Sequence, residues 1–339
     1  MGRLALLLVL SLSLTVGIIS YSISTSKKFT IENVTGFDKY TTARNLSHTG
    51  INLMLHRIDS DTSFVSKLNS NQTLWIATSV ASGICSVSVK LKSFPALDTV
   101  VLTSNSRIAD TSYNMRLTLQ RFPKPFPTVG APVSFGGTPV NFTMVGSPNI
   151  DGRDHLIDGS LTGSRATDTV GVAVSTVVDS IAISVYNSKI TGDPSKLKVQ
   201  TVEDPSPYVQ EYVNAADYVF SPGTYNGNYG SSTAPVIGYV NGNITLGGHG
   251  AFYGVLVVKG SIDLQGTFDL YGLIICIGDD NTIGTSAGTP EIHGGIIVAG
   301  NGVKFTMKGT ADAQYSTEAL NIARYTTKLM AYKVMKWYE

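Results

Sequence analysis

The side chains that could do chemistry lie in and after a segment that repeats itself near the end of the chain. Residues 252–280 read FYGVLVVKGSIDLQGTFDLYGLIICIGDD, and the acids of this region are Asp263, Asp269, Asp279, Asp280 and Glu291. A hydrolase built on stacked β-rungs needs two or three carboxylates on one solvent face of adjacent rungs. At a period of eighteen residues, Asp263 aligns with Thr245 and Asn281, and Asp269 aligns with Ala251. The spacing therefore predicts no carboxylate pair.

A second pattern, Gly284-Thr-Ser286-Ala-Gly288, fits the G-x-S-x-G motif of a nucleophile elbow. Such an elbow needs a strand before the serine and a helix after it. Here Thr289-Pro290 and another β-like run follow, which favours a glycine-serine loop. The histidines show no metal-ligand spacing with one another or with cysteine; they are His48, His56, His155, His249 and His293. We therefore predict that the protein is not an enzyme.

The segment Asn149–Asp158 contains three carboxylates, Asp151, Asp154 and Asp158, at spacings similar to those of a calcium loop. It lacks the bidentate glutamate and the flanking helices of an EF-hand. A turn in which Asp and Gly satisfy backbone groups explains the same residues. Calcium therefore stays open as a weak alternative, and we expect no other cofactor.

The repeat itself predicts a β-solenoid. Gly242–Gly248 aligns with Gly260–Gly266, and Tyr253–Val258 aligns with Tyr271–Cys276, both at a period of eighteen; a third copy, His293–Gly300, follows after twenty-two residues. Short β runs turned by glycine at a fixed period are typical of stacked supersecondary units. The predicted corner glycines are Gly242, Gly254, Gly260, Gly272, Gly278, Gly294 and Gly300. The predicted internal stacks include Ile244 on Ile262 and Leu256 on Ile274.

The elements that must hold this solenoid begin with an apolar N-terminal segment. Leu4 to Ile23 is twenty residues without a charge or a proline, which as a helix matches a bilayer core. A cleaved signal peptide is the alternative, but no A-x-A-like site follows the run. From Ile31 to Ile58 the apolar residues recur at spacings of about three and four, which indicates an amphipathic continuation.

We predict that this helix assembles the protein with other subunits. The residues predicted to form the assembly surface are Leu4, Leu7, Leu8, Leu10, Leu14, Ile18, Ile31, Val34, Phe37, Leu46, Ile51 and Leu55.

The remaining segments divide the chain into predicted regions. The fold class is α+β, with an N-terminal helix at 1–60, an antiparallel β region at 70–122 and a proline-rich linker at 123–135. An irregular β domain at 136–232, solenoid repeats at 233–310 and a C-terminal helix at 314–339 complete it. That helix, Thr317 to Trp337, is expected to cap the solenoid.

Composition narrows the function further. Only 14% of the residues are charged and the net charge is +1, so no electrostatic footprint suggests nucleic acid. A surface covered by Ser, Thr, Asn and Gly is common in secreted β proteins. The two cysteines, Cys85 and Cys276, leave a disulfide possible but form no framework. Sequons occur at Asn33, Asn45, Asn71, Asn141 and Asn243, and the sequence does not say whether they are glycosylated.

Two segments carry a resemblance to a known family. The segment ARNLSHTGINL, at 43–53, resembles the A-x-x-A-x-S-G-I segment of pilin-like accessory proteins of type IV pili and of related pseudopilins. The repeat, together with the ending Trp337-Tyr338-Glu339, is similar to their glycine-rich C-terminal segment and its Trp-Arg-Glu ending. The chain departs from the pilin pattern in two respects near its N-terminus. The fifth residue after a cut behind Gly2 is Leu7 where pilins usually have glutamate, and no acid precedes Glu32.

The resemblance implies a structural, non-enzymatic pilin-like subunit. Such a protein is anchored in the inner membrane before assembly and then displays its β-rich domain on a cell-surface filament. Its partners would be copies of itself or other pilin-like subunits, joined through the N-terminal helix. The sequence leaves two alternatives: a membrane-anchored or secreted β-solenoid adhesin, and a β-helix enzyme acting on polysaccharide.

Overall fold

The computed structural model describes residues 2–60, 64, 73–80, 83–93 and 98–339; the side chains of residues 2–6, 73–80, 92–93, 98 and 327 lie outside that description. The described chain forms two compact units, Met1–Phe122 with Tyr332–Glu339, and Pro123–Ala331. We call them unit 1 and unit 2. The sequon at Asn71 lies outside the described residues.

The helices are α1 (Gly2–Ser60), α2 (Val177–Ser184), α3 (Ser206–Asn214) and α4 (Thr317–Arg324), with short 3-10 helices at Arg165–Thr167, Asn187–Lys189 and Thr327–Leu329. The strands are β1 (Thr73–Val80), β2 (Gly83–Ser93), β3 (Asp98–Ile108), β4 (Thr111–Pro123), β5 (Val133–Phe135), β6 (Asn141–Gly146), β7 (Asn149–Asp151), β8 (Val172–Val174), β9 (Ile190–Thr191), β10 (Leu197–Val199), β11 (Tyr218–Phe220), β12 (Gly223–Tyr229), β13 (Val236–Asn241), β14 (Ile244–Lys259), β15 (Ile262–Gly266), β16 (Asp269–Ile277), β17 (Thr282–Gly288), β18 (Glu291–Val298), β19 (Lys304–Gly309), β20 (Asp312–Tyr315) and β21 (Met330–Tyr338).

Unit 1 is a long helix on an antiparallel sheet of order β1-β2-β3-β4-β21. Along β4 the buried residues alternate with more exposed ones, as a sheet with one covered face requires. Val89, Leu102 and Leu117 are paired across β2, β3 and β4 and are buried together under the second half of α1. The predicted helix and antiparallel region are confirmed.

α1 runs without a break through several Ser and Thr residues that weaken a helix. Their hydroxyls return hydrogen bonds to the preceding turn, for example Thr25 Oγ1 to the Tyr21 carbonyl at 2.9 Å and Thr30 Oγ1 to the Ser26 carbonyl at 2.9 Å. Gly50 has a packing role, because a Cβ there would lie 2.5 Å from Cys85 Sγ. A glycine at this position lets the helix lie close against β2.

Unit 2 is a parallel β-solenoid with three ladders. The polar ladder contains β12, the first part of β14, β15, β17, β19 and β6. The acid ladder contains residues 251–254 of β14, the first parts of β16 and β18, then β20, β7 and β9. The aliphatic ladder contains β11, β13, the last parts of β14, β16 and β18, then β5, β8 and β10.

The register of the ladders follows the sequence repeat. Ile244 pairs with Ile262, and Leu256 pairs with Ile274, which in turn pairs with Ile296. All five are buried in one core, so the predicted internal stacks are confirmed. The change of period from eighteen to twenty-two falls between β16 and β18, where strand β17 reaches to Gly288.

The aliphatic residues that follow each Tyr-Gly pair point alternately to the two faces of the sheet. Leu256 and Val258 lie in the solenoid core, whereas Val255 and Val257 lie in a second cluster with residues of α3 and α4. Leu320 and Ala323 of α4 are buried in that cluster. Alternate residues of these strands point to the outer side of the solenoid, where their apolar side chains must also be buried. The short helices α3 and α4 pack on that outer side and bury them.

The C-terminal helix ends earlier than predicted. Ser316 caps α4 by accepting a hydrogen bond from the Ala319 amide at 3.1 Å, and the helix stops at Arg324. Met330–Tyr338 is strand β21 of unit 1, so the prediction of a helix to Trp337 is wrong. The residues of β21 are rich in aromatic and β-favouring types, and a free edge of the antiparallel sheet beside β4 accepts them.

Segments upstream of the repeats also belong to the solenoid. The proline-rich stretch 123–135 ends in β5, and β5, β6 and β7 pair with β18, β19 and β20 respectively. The segment 136–232 thus extends the same sheet as the repeats instead of standing apart from it. Pairings between strands distant in sequence leave no local period, which is why sequence inspection did not find these rungs.

Candidate functional site

The candidate functional surface is the first half of α1. The large apolar side chains of residues 7–37 are exposed: Leu14 is 62% exposed and Phe37 is 72% exposed. By length and composition this is a helix that could cross a membrane. Exposed apolar surfaces of this extent are typical of sites that interact with a membrane or with another protein.

The predicted assembly residues divide into two groups. The exposed members are Leu7, Leu8, Leu10, Leu14, Ile18, Ile31, Val34 and Phe37; the helix position of Leu4 is described but its side chain is not. Leu46 and Ile51 are buried against the sheet of unit 1, and Leu55 is partly buried there. These three residues attach the helix to its own domain, so their assignment to a subunit interface is corrected.

The motif at 43–53 is the part of α1 that docks on the sheet. Ala43, Ser47 and Ile51 are each fully buried. Ser106 Oγ of β3 donates to the Ala43 carbonyl at 2.6 Å, and Ser47 Oγ donates to the Ser104 carbonyl at 3.3 Å. Because Ala43 and Ser47 are small, α1 can lie close enough to β3 for both hydrogen bonds to form.

The two segments that carried the resemblance meet in unit 1. Arg44 Nε donates to Glu339 Oε2 at 3.1 Å, and His48 Nε2 lies 3.1 Å from Glu339 Oε1. The His48 ring stacks on Trp337 with centroids 5.6 Å apart. Hydrogen bonding from Arg44 lowers the pKa of Glu339. Sequence reasoning missed this group because it placed Trp337 on a helix.

The predicted corner glycines occupy two kinds of position. Gly242, Gly260, Gly278 and Gly300 follow strand ends, whereas Gly254, Gly272 and Gly294 lie inside strands, in register with one another. At Gly272 the φ angle is +134° and a Cβ would collide with the Gly254 carbonyl oxygen. The stacked glycines therefore let the strands bend from the acid ladder into the aliphatic ladder.

The acid ladder contradicts the prediction that no carboxylates pair. Asp269 is in register with Glu291, and Glu291 with Asp312. Burial, and then the neighbouring Glu291, raise the pKa of both Asp269 and Asp312. Asp269 and Glu291 are twenty-two residues apart, so a period of eighteen does not align them.

A column of rings runs beside these acids. Tyr253 stacks on Tyr271 with ring centroids 4.4 Å apart, and Tyr271 stacks on His293 at 4.9 Å. His293 is buried and its Nε2 lies 3.1 Å from Glu291 Oε2. Burial, the largest cause, lowers the pKa of His293. The ring column and the acids share strands β16 and β18.

The three calcium candidates each have protein partners. Asp151 accepts hydrogen bonds from the Arg153 guanidinium at 2.6 and 3.0 Å, and Asp154 accepts from the Thr317 amide and hydroxyl, both at 2.8 Å. Asp158 accepts from Ser160. Among the described residues no group of three or more His, Cys, Asp or Glu is arranged to hold a metal ion. Calcium binding stays a prediction.

The G-x-S-x-G segment forms strand β17, followed by β18 without an intervening helix. Ser286 Oγ donates to Asp263 Oδ2 at 2.6 Å. The segment therefore lacks the strand–turn–helix geometry of a nucleophile elbow. Cys85 and Cys276 are both free thiols, and burial raises the pKa of Cys276 to about 12.

No family model and no curated protein matches the chain. Among solved structures, the chain is similar to the competence-associated pilin ComZ from Thermus thermophilus, with 9% sequence identity over 89% of this chain and 97% of that chain, at a TM-score of 0.25.

Proposed function

We propose that the protein is a structural, pilin-like subunit that assembles through the first half of α1 and displays its β units outside the cytoplasm. One observation carries the proposal: a single unbroken helix leaves Leu7 to Phe37 uncovered and buries Ala43 to Ile58 against its own sheet. A removable signal peptide has no need to continue into a packed domain helix. Before assembly this half would lie in the membrane, and afterwards it would pack on helices of other subunits.

The chemistry of the described residues supports a role without catalysis. The serine of the G-x-S-x-G segment bonds to Asp263, and Glu291 bonds to His293. A screen against polysaccharide substrates is expected to show no degradation. The absence of a glutamate near Leu7 means that subunit register in this proposal depends on apolar packing.

The test uses a sheared surface fraction from cells that make the full chain, examined by electron microscopy and mass spectrometry. We expect the chain in filaments, with residues 4–23 retained at its mature N-terminus. Leu14→Arg should remove it from filaments, because an arginine in the apolar half costs about 2.5–3.5 kcal/mol in a membrane. Ile84→Arg is the matched control, since Ile84 is an exposed apolar residue of β2.

Three results would contradict the proposal. Loss of residues 4–23 from the mature chain would indicate a secreted protein and remove the assembly helix. A chain that stays in the membrane fraction and never enters a filament would favour the anchored adhesin. Equal incorporation of Leu14→Arg and wild type would show that the exposed helix is not the assembly surface.

A further inference from the structure

A depression on the polar ladder interrupts a regular column of side chains. The residues of this column are in register on successive rungs: Thr224, Thr245, Asp263, Gly284, Thr306 and Thr143. Gly284 is the member without a side chain. Its φ angle is +154° and a Cβ there would collide with the Thr306 carbonyl oxygen, so the backbone itself keeps this position empty. The gap lies between Asp263 and Thr306.

A β-bulge shapes one side of the depression. Leu264 pairs with Thr285 but Gln265 pairs with Ala287, so Ser286 is the extra residue of β17. The bulge places Ser286 Oγ at 2.6 Å from Asp263 Oδ2, which also accepts from Gln265 Nε2 at 2.7 Å. Both bonds use Oδ2, and within the described chain Oδ1 of Asp263 accepts no hydrogen bond. The carboxylate is thus oriented with one oxygen available.

The lining of the depression is rich in hydroxyl groups. Besides Asp263 and Ser286 it contains Asn243, Thr245, Ser261, Thr282, Thr306 and Lys308. The hydroxyls of Thr245, Thr282 and Thr306 bond to no other described residue, and the described acids form no ion pair with Lys308. The volume, about 250 Å³, lies just below the roughly 300–1,000 Å³ of pockets that enclose drug-sized ligands. It suits one small polar ring.

The chemistry of these groups selects a neutral ligand with several hydroxyls. Hydroxyl side chains both donate and accept, an oriented carboxylate accepts two donors, and the Lys308 ammonium only donates. The fixed charge of Asp263 disfavours phosphate and sulfate. We propose that this depression binds a neutral sugar residue of a glycan, with Asp263 accepting from its hydroxyls and Ser286 and Gln265 holding Asp263 in place. This site is independent of the assembly role proposed above.

The test measures binding of the full chain to an array of neutral oligosaccharides, with gluco-, galacto-, manno- and N-acetylhexosamine units, and of sulfated and phosphorylated glycans. The protein is held in a polyoxyethylene detergent, because sugar-headgroup detergents would compete. We expect retention on at least one neutral glycan. Asp263→Asn should weaken binding about tenfold or more, through loss of a charge-assisted acceptor. Ser286→Ala should weaken it less, since Gln265 still bonds to Asp263.

Two controls separate the site from general effects. Thr224→Ala alters the same column outside the depression, and Asp280→Asn removes an exposed acid in a loop of unit 2. Both should bind as wild type does, and circular dichroism should show all variants folded. No retention on any neutral glycan, retention confined to sulfated or phosphorylated glycans, or unchanged binding in Asp263→Asn would each overturn the inference.

Discussion

Asp269, Glu291 and Asp312 occupy one position on three consecutive rungs, where the spacing between adjacent strands is about 4.8 Å. Burial, and then the neighbouring Glu291, disfavours the charged form of both Asp269 and Asp312. The raised pKa values of Asp269 and Asp312 are the result. These two acids therefore lower the stability of unit 2 at neutral pH.

Asp269→Asn should therefore stabilise unit 2 at pH 7. The folded pKa of Asp269 lies above its unfolded value, so the charged form is less favourable in the folded state. The wild type gains stability as pH falls through the folded pKa, and the two proteins should unfold at the same temperature below about pH 3.9. Thermal unfolding at pH 7 and at low pH measures this. A lower midpoint for Asp269→Asn at pH 7, or the same gain from Asp280→Asn, would contradict it.

Helix α1 is continuous, but its two halves differ in their packing: the second half packs on the sheet of unit 1 and the first half is exposed. Gly50 and the small residues Ala43 and Ser47 bring its second half against β2 and β3, and Ile51 fills the space between them. The first half continues without a cap or a turn and carries its apolar side chains into open surroundings. An apolar stripe looks the same in sequence whether it meets its own sheet or a partner.

Truncating one residue in each half of α1 should distinguish the half that packs on the sheet from the half that is exposed. Ile51→Ala removes a fully buried side chain and should lower the free energy of unfolding of unit 1 by about 2–5 kcal/mol. Phe37→Ala should change it by less than about 0.5 kcal/mol, because Phe37 is exposed. Hydrogen exchange of the β3 amides in micelles reports both values. Similar effects from the two substitutions would mean that the exposed half also packs on the domain.

For the whole molecule, the chain leaves unit 1 at Phe122, builds unit 2 and returns to unit 1 at Tyr332. The returning strand β21 joins the sheet beside β4 and brings Glu339 to Arg44 and Trp337 to His48. Each unit has its own buried core. Unit 1 therefore needs residues from both ends of the chain, whereas unit 2 is formed by one continuous segment.

Deleting residues 332–339 should weaken unit 1 alone. The deletion exposes the edge of β4 and removes the partners of Arg44 and His48, for an expected loss of about 1–3 kcal/mol. Faster hydrogen exchange should appear in β4 and not in β16 of the solenoid. Met335→Ala, which truncates an exposed residue of β21, is the matched control and should leave both regions unchanged. Unaltered exchange in β4, or loss of protection in β16, would contradict this view of two separate cores.

Local patterns were sufficient for part of this architecture. The uninterrupted apolar helix, the alternating strands after it and the repeat of eighteen residues predicted α1, the antiparallel sheet and the register of the solenoid core, because each depends on residues close together in the chain. The pairing of residues 133–151 with the last rung joins segments far apart in sequence, and no period marks it.

The tertiary structure decided the rest. It made the end of the predicted last helix into strand β21, because the open sheet edge beside β4 pairs with the backbone of a segment rich in β-favouring residues. It paired Asp269 with Glu291 across a longer repeat, and it left an empty position at Gly284 between Asp263 and Thr306, which are 43 residues apart in the sequence. Sequence alone determined which faces are apolar; only the folded chain decided which of those faces are covered by the protein itself.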